Sequence, residues 1–233
     1  MTPGLLYYTD NQCQERILLA ARNQLNRCRG AYRLVSVSQY PIVFGRNIVV
    51  PMDRSAVSMF YQILVGLEAL ESDTVFMLEH DVFYHPSHFD FEPLRDDTYY
   101  YNLNVWNVDA DTGQALHYDG MRMTSGLVAH RKLLLEHYRK RLKVIEAEGF
   151  SVKRMGYEPG KRGNGIDKHS VEYFESAVPN INIKHGGNLT PGRFKLSQYR
   201  RPKKLEASWV LADEVPGWGR TKGRFGDFVR GLA

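Results

Sequence analysis

Residues Thr74 to Pro86 read TVFMLEHDVFYHP. Four apolar residues in succession, Val75 to Leu78, show no polar alternation, which predicts a strand buried on both faces, as in the middle of a parallel sheet. The run ends in three ionisable residues, Glu79, His80 and Asp81, and a short aromatic segment follows until Pro86 stops it. Ionisable groups at the carboxyl end of a buried strand lie in the crevice where open α/β sheets bind ligands. Two carboxylates one residue apart supply hard oxygen donors for a divalent cation, which can in turn hold a diphosphate. An ordinary acidic turn is the plainer reading of an isolated E-x-D. The surrounding chain favours the first.

On the amino-terminal side, strand and helix alternate. Leu5 to Tyr8 predicts a short strand ending at Thr9, Asp10 and Asn11. Between Glu15 and Cys28, apolar residues recur at helical spacing (Ile17, Leu18, Ala21, Leu25). Tyr32 to Ser38 is β-branched and alternating, so a second strand, and Ile48 to Val50 adds a short edge strand before Pro51. Ser55 opens a second helix with the apolar body AVSMFYQILVGLEAL. A strand–helix–strand–helix–strand order predicts a mainly parallel, right-handed wound sheet.

Beyond Pro86 the pattern is less regular. Tyr99 to Asn107 predicts a strand, Asp109 to Gly113 a turn and Leu116 to Tyr118 its hairpin return. Met123 to His130 leads into a helix from Arg131 to Glu148, with an apolar stripe at Leu134, Leu135, Tyr138, Leu142 and Ile145 and a stop at Gly149. Gly156 to Gly165 is too glycine-rich for regular structure. Asp167 is placed to cap a helix reaching about Glu175. Asn182 to His185 predicts a last short strand, and GGNLTPG a loop.

The chain has 233 residues, 43% hydrophobic and 24% charged, ordinary values for a globular protein with a substantial core. No apolar run approaches the ~20 residues that span a bilayer. The first residues lack the basic and apolar regions of a signal peptide, so a cytoplasmic protein is expected. Cys13 and Cys28 have no metal-type spacing and are expected as free thiols. The net charge of +5 suits a polyanionic partner without requiring one. From Arg193 the chain reads RFKLSQYRRPKK, then GRTKGRFGDFVRG, with aromatics between the cations. That pattern suits phosphate contacts with base stacking, and equally a solvated basic tail.

The element order, the stretch FYQILVGLEALESDTVFMLEHDVFYHP from Phe60 and the later IKHGGNLT from Ile183 resemble the GT-A glycosyltransferases, which use nucleotide sugars. The resemblance runs from about Leu5 to Pro191. It implies an α/β fold with a GT-A-like, Rossmann-type mixed sheet flanked by helices. One domain is expected over residues 1–192, with a nucleotide-binding half to about 92 and an acceptor half from about 93. A basic aromatic segment, 193–233, follows.

Glu79-His80-Asp81 stands where the family carries a DxD-type motif, with glutamate for the first aspartate and histidine between. The resemblance implies Asp81 as a ligand of manganese or magnesium, Glu79 beside the ribose or a metal-bound water, and His185 completing the metal site. A neutral imidazole suits manganese, whereas magnesium prefers oxygen. His80 points the opposite way if the strand persists, towards packing. Thr9 and Asp10 match the nucleoside-binding edge. The general base of an inverting enzyme is expected between Gly149 and His185, at Asp167 or Glu158, with Asp119 as a third candidate. Trp218 to Lys222 is similar in type to segments that fold over the diphosphate, where Arg220 or Lys222 would neutralise phosphate.

The implied activity is metal-dependent transfer of a sugar from a nucleotide-diphosphate sugar to an acceptor hydroxyl. A basic aromatic tail without a membrane span fits a nucleic-acid acceptor, such as a hydroxymethylated pyrimidine in phage-type DNA, modified in the host cytoplasm and reached by base flipping. Two alternatives stay open: a nucleotidyltransferase, and a non-enzymatic basic nucleic-acid-binding module.

Overall fold

The central strand β1 (Gly4–Thr9) is buried along its whole length, as its apolar run requires. A computed structural model describes residues 2–160 and 165–232. After β1 come α1 (Glu15–Cys28), β2 (Arg33–Ser38), β3 (Arg46–Val49), α2 (Ala56–Ala69), β4 (Thr74–Glu79) and β5 (Val82–Phe83). The next elements are β6 (Thr98–Asn102), β7 (Val105–Asp109), β8 (Ala115–His117), β9 (Leu127–His130), α3 (Arg131–Glu148) and α4 (Val152–Met155). The chain closes with β10 (Ser170–Phe174), β11 (Asn180–Lys184), β12 (Val210–Ala212), the hairpin β13 (Glu214–Val215) and β14 (Gly219–Arg220), and α5 (Phe225–Leu232).

Seven strands form a mixed sheet in the order β10-β6-β9-β4-β1-β2-β3, in which β9 alone runs antiparallel to its neighbours. The expected mixed α/β sheet flanked by helices is therefore present. Leu6 and Tyr8 of β1, with Val75 and Met77 of β4, face one core with Phe60 and Ile63 of α2 and Leu134 and Tyr138 of α3. Leu5, Tyr7, Phe76 and Leu78 face the other, with Leu25 of α1. Burying each such aliphatic or aromatic side chain stabilises the fold by roughly 1.5–3 kcal/mol. Ser55 caps α2 reciprocally with Ser58. Gly66 lets that helix lie close on the sheet, since a Cβ there would come within 2.1 Å of Leu6.

A second sheet, β12-β8-β7-β11-β5, stands beside the first. Among the described residues the chain passes from the first sheet to the second three times, between β4 and β5, between β6 and β7 and between β10 and β11. The first crossing is Glu79-His80-Asp81, so the acidic tripeptide spans the gap between the sheets. The second corrects an expectation: the stretch from Tyr99 to Asn107 is two strands in different sheets. The break falls at Leu103 and Asn104, where Asn102 Oδ1 accepts from the Asn104 amide and Asn104 Nδ2 donates to the Ser176 carbonyl.

Two further expectations give way. The segment after Asp167 is β10, paired parallel to β6, not a helix. Its sequence SVEYF is β-branched and aromatic, and Asp167 is engaged elsewhere instead of capping. The basic tail is also woven into the body: β12 extends the second sheet beside β8, and Phe225 and Val229 of α5 pack with Ile17, Ala20 and Ala21 of α1. Of the expected loop from Gly156 to Gly165, residues 161–164 lie outside the described residues. Among the described residues, no helix is long and apolar enough to cross a membrane.

Candidate active site

The site is assembled where β1, β4 and β11 end. β1 and β4 run parallel with Tyr8 opposite Glu79, and the Tyr8 hydroxyl donates to Glu79 Oε1 at 2.6 Å. The Glu79 amide donates to the Tyr84 hydroxyl at 3.0 Å, which fixes the strand end. Desolvation, reinforced by the charge of Asp81, pushes the Glu79 carboxyl up to about 7; the Tyr8 hydrogen bond and nearby Lys184 and His80 oppose that rise. Burial and the neighbouring Asp81 charge thus both oppose ionisation of Glu79.

Asp81 is buried and sits against β11, whose Ile183 amide donates to the Asp81 carbonyl at 2.8 Å. The loop after β11 then returns two side chains to it. Asn188 Nδ2 donates to Asp81 Oδ2, and His185 Nε2 lies 3.8 Å from the same oxygen. That separation is too long for a hydrogen bond. It suits two ligands of one divalent ion, each about 2 Å from the metal. His185 Nε2 is buried with no hydrogen-bond partner, and burial holds the imidazole below its ordinary value, hence neutral. One anionic oxygen and one neutral imidazole make a donor set for manganese. The residues fit a cation, with one condition. His185 Nδ1 accepts from the Gly187 amide at 3.0 Å, which leaves the ring hydrogen on Nε2. Ligation through Nε2 therefore requires the other tautomer and a turn of the Gly187 peptide.

Thr9 and Asp10 form the adjoining wall. Gln62 donates to the Thr9 carbonyl at 2.9 Å, and Asn11 holds the turn in the left-handed region (φ 59°) while accepting from the amides of Gln39 and Tyr40. Arg54, just ahead of α2, pairs with Asp10 and donates to the Gly187 carbonyl, tying the Thr9–Asp10 wall to the His185 loop. These groups line one cleft of about 420 Å³, together with Lys184, Arg193, Tyr118 and Tyr199.

Glu158 lines the same cleft, and Asp167 is not among its lining residues. Asp167 lies behind it, where Oδ1 accepts from the Tyr99 hydroxyl and from His137 Nδ1, each at 2.8 Å, and Oδ2 from the Gly160 amide at 2.9 Å. Burial opposes ionisation of Asp167, and these hydrogen bonds overcome it, holding the carboxyl below its usual range. Arg141, fully buried on α3, donates from Nε to His137 Nε2 at 2.9 Å. His137 is consequently neutral with its hydrogen on Nδ1, and a line runs from guanidinium through imidazole to carboxylate. Arg141 also donates to the carbonyls of Gly156 (2.9 Å) and Glu158 (3.4 Å), and the Tyr101 hydroxyl donates to that of Pro159 at 2.8 Å. The backbone carrying Glu158 is thereby held at consecutive points.

Arg220 and Lys222 stand apart from the cleft lining and pair instead with Asp213, at 3.7 and 2.8 Å. Trp218 donates its indole N–H to the Pro179 carbonyl at 2.7 Å. Sequence reasoning missed Arg54 and Lys184, which face the cleft together with Arg193, the first cation of the basic segment. Lys184 carried a usable signal, since it directly precedes His185 at the end of a predicted strand.

No protein-family profile and no curated protein matches the sequence. Solved structures similar to the chain include a glycosyltransferase involved in the glycosylation of the major capsid of PBCV-1, at 10% identity and a TM-score of 0.48, covering 78% of this chain and 93% of that one. Another is the apo-form glycosyltransferase GlyE of Streptococcus pneumoniae TIGR4, at 14% identity and a TM-score of 0.40. That likeness covers 73% of this chain and 45% of the GlyE chain, so this chain spans less than half of GlyE.

Proposed function

We propose that the protein transfers a sugar from a nucleotide-diphosphate sugar to an acceptor hydroxyl, using a divalent cation held by Asp81 and His185. The observation that carries this reading is the convergence of Asp10, Glu79 and Asp81 on the cleft that Glu158 lines from the other side, with His185 Nε2 set behind Asp81 at 3.8 Å. Thr9 and Asp10 receive the nucleoside, and Glu79 accepts from a ribose hydroxyl or a metal-bound water. Lys184, Arg54 and Arg193 take the phosphate-neutralising role expected of Arg220 and Lys222, because they face the cleft. A bound cation supplies stabilisation of the charge on the departing diphosphate. Glu158 accepts the proton of the acceptor hydroxyl as its oxygen attacks the anomeric carbon, with inversion there, and later returns that proton to solvent.

For the acceptor, the reading is DNA carrying a hydroxymethylated pyrimidine. Its support is a run of exposed cations, Arg193, Arg200, Arg201, Lys203 and Lys204, that begins at the cleft and makes no ion pair among the described residues. Tyr118 and Tyr199, both on the cleft, offer ring faces and edges for a base turned out of the duplex. The test is mass spectrometry of hydroxymethyl-containing DNA after incubation with a panel of nucleotide sugars and manganese. A gain of one sugar residue is expected. A gain of one nucleotide would mean nucleotidyl transfer instead, and no gain would exclude this acceptor.

A further inference from the structure

The tripeptide at the sheet crossing carries a histidine that the proposed reaction leaves unused. His80 Nε2 is buried without a hydrogen-bond partner, 3.8 Å from Asp10 Oδ1. His185 Nε2 is likewise buried and unpartnered. Cys13, at the start of α1, completes a group of three whose ligating atoms all lie within 4.8 Å of one another. Tetrahedral zinc ligands, each about 2.0–2.3 Å from the ion, stand roughly 3.3–3.8 Å apart. The outer limit of the group exceeds that spacing by about 1 Å, so the side chains must draw in on the ion.

The geometry points to a second cation site, in which Cys13, His80 and His185 bind a thiophilic divalent ion such as zinc. One sulfur and two imidazoles select zinc over manganese or magnesium, which favour oxygen. Asp10 and Asp81 flank the group and supply negative charge around it. On binding, the Cys13 thiol releases its proton to buffer and the thiolate takes one coordination position. As at the hard-metal position, His185 must exchange its Gly187 hydrogen bond for the ion. Because His185 belongs to both positions, zinc excludes the catalytic cation; this exclusion rests on the proposed function, whereas the site itself does not.

Cobalt(II) is the probe, because a thiolate ligand gives it a near-ultraviolet charge-transfer band that carboxylates and imidazoles do not. The expected result is one equivalent of cobalt bound with that band, displaced by zinc. Cys13→Ser should abolish the band and weaken zinc in a chelator competition by on the order of 100-fold. Cys28→Ser and Asp81→Asn should keep the band, the latter even if Asp81 has no role with nucleotides. Metal-free melting curves of the variants confirm that each is folded. Absence of the band in the wild-type protein, its survival in Cys13→Ser or its loss in Cys28→Ser would each overturn the assignment.

Discussion

Tyr8 and Glu79, residues on adjacent parallel strands, share a hydrogen bond of 2.6 Å at the mouth of the cleft. The bond keeps a desolvated carboxyl from rising beyond its value of about 7, and it leaves the second oxygen of Glu79 for a ligand. Tyr8→Phe removes the donor without changing the ring that packs in the core. The variant should fold, and because the Glu79 carboxyl without that donor holds its proton more readily, its affinity for the nucleotide part of the donor should drop by up to about tenfold at neutral pH, the equivalent of ~1.4 kcal/mol. Calorimetry on both proteins measures it; an unchanged affinity would remove Glu79 from the donor site.

Glu158 and Asp167 are separated by their surroundings, and substitution should separate them in kind. Glu158→Gln should melt like the wild type and bind donor normally, while single-turnover transfer falls by roughly 100- to 10,000-fold. Asp167→Asn leaves Arg141 as an uncompensated buried charge and should destabilise the protein by about 3 kcal/mol, read by denaturant unfolding. If Asp167→Asn instead kept full stability and lost transfer, Asp167 would be the base and Glu158 a loop carboxylate.

Acid should unfold the protein partly through His88. Its ring is enclosed by Phe76, Tyr84, Phe89 and Phe174, and burial lowers its pKa from 6.5 to about 3. Between those values the unfolded chain binds a proton that the native state refuses, so stability is present above 6.5 and is lost as pH falls towards 3. The loss attributable to this residue is up to about 5 kcal/mol, at about 1.4 kcal/mol for each pH unit. His88→Phe should flatten that part of the stability–pH curve. Parallel curves for the two proteins would refute the claim.

Where apolar periodicity was strong, the chain announced its own structure: α1 and α3 run over the expected residues, and β4 is the doubly buried strand its sequence implied. Legibility failed where a tertiary partner set the outcome. The stretch around Leu103 is continuous in β propensity, and only asparagine side chains meeting a distant segment reveal that it changes sheets. Asp81 and His185 could be named as partners only through family resemblance, since nine strands and helices lie between them among the described residues. Arg141 lies outside the apolar stripe of α3, yet it is fully buried against Phe60, and its charge is answered through His137 by Asp167. Arg54 gained its place from a loop that closes far away in sequence.

The most direct test of the account is calorimetric titration of a panel of nucleoside diphosphates into the wild-type protein and Asp81→Asn, with and without manganese. The account predicts saturable one-to-one binding of at least one nucleotide, dependent on manganese and lost in Asp81→Asn while that variant melts cooperatively. Nucleotide binding that survives the substitution, or no binding by any nucleotide in the presence of manganese, would contradict it.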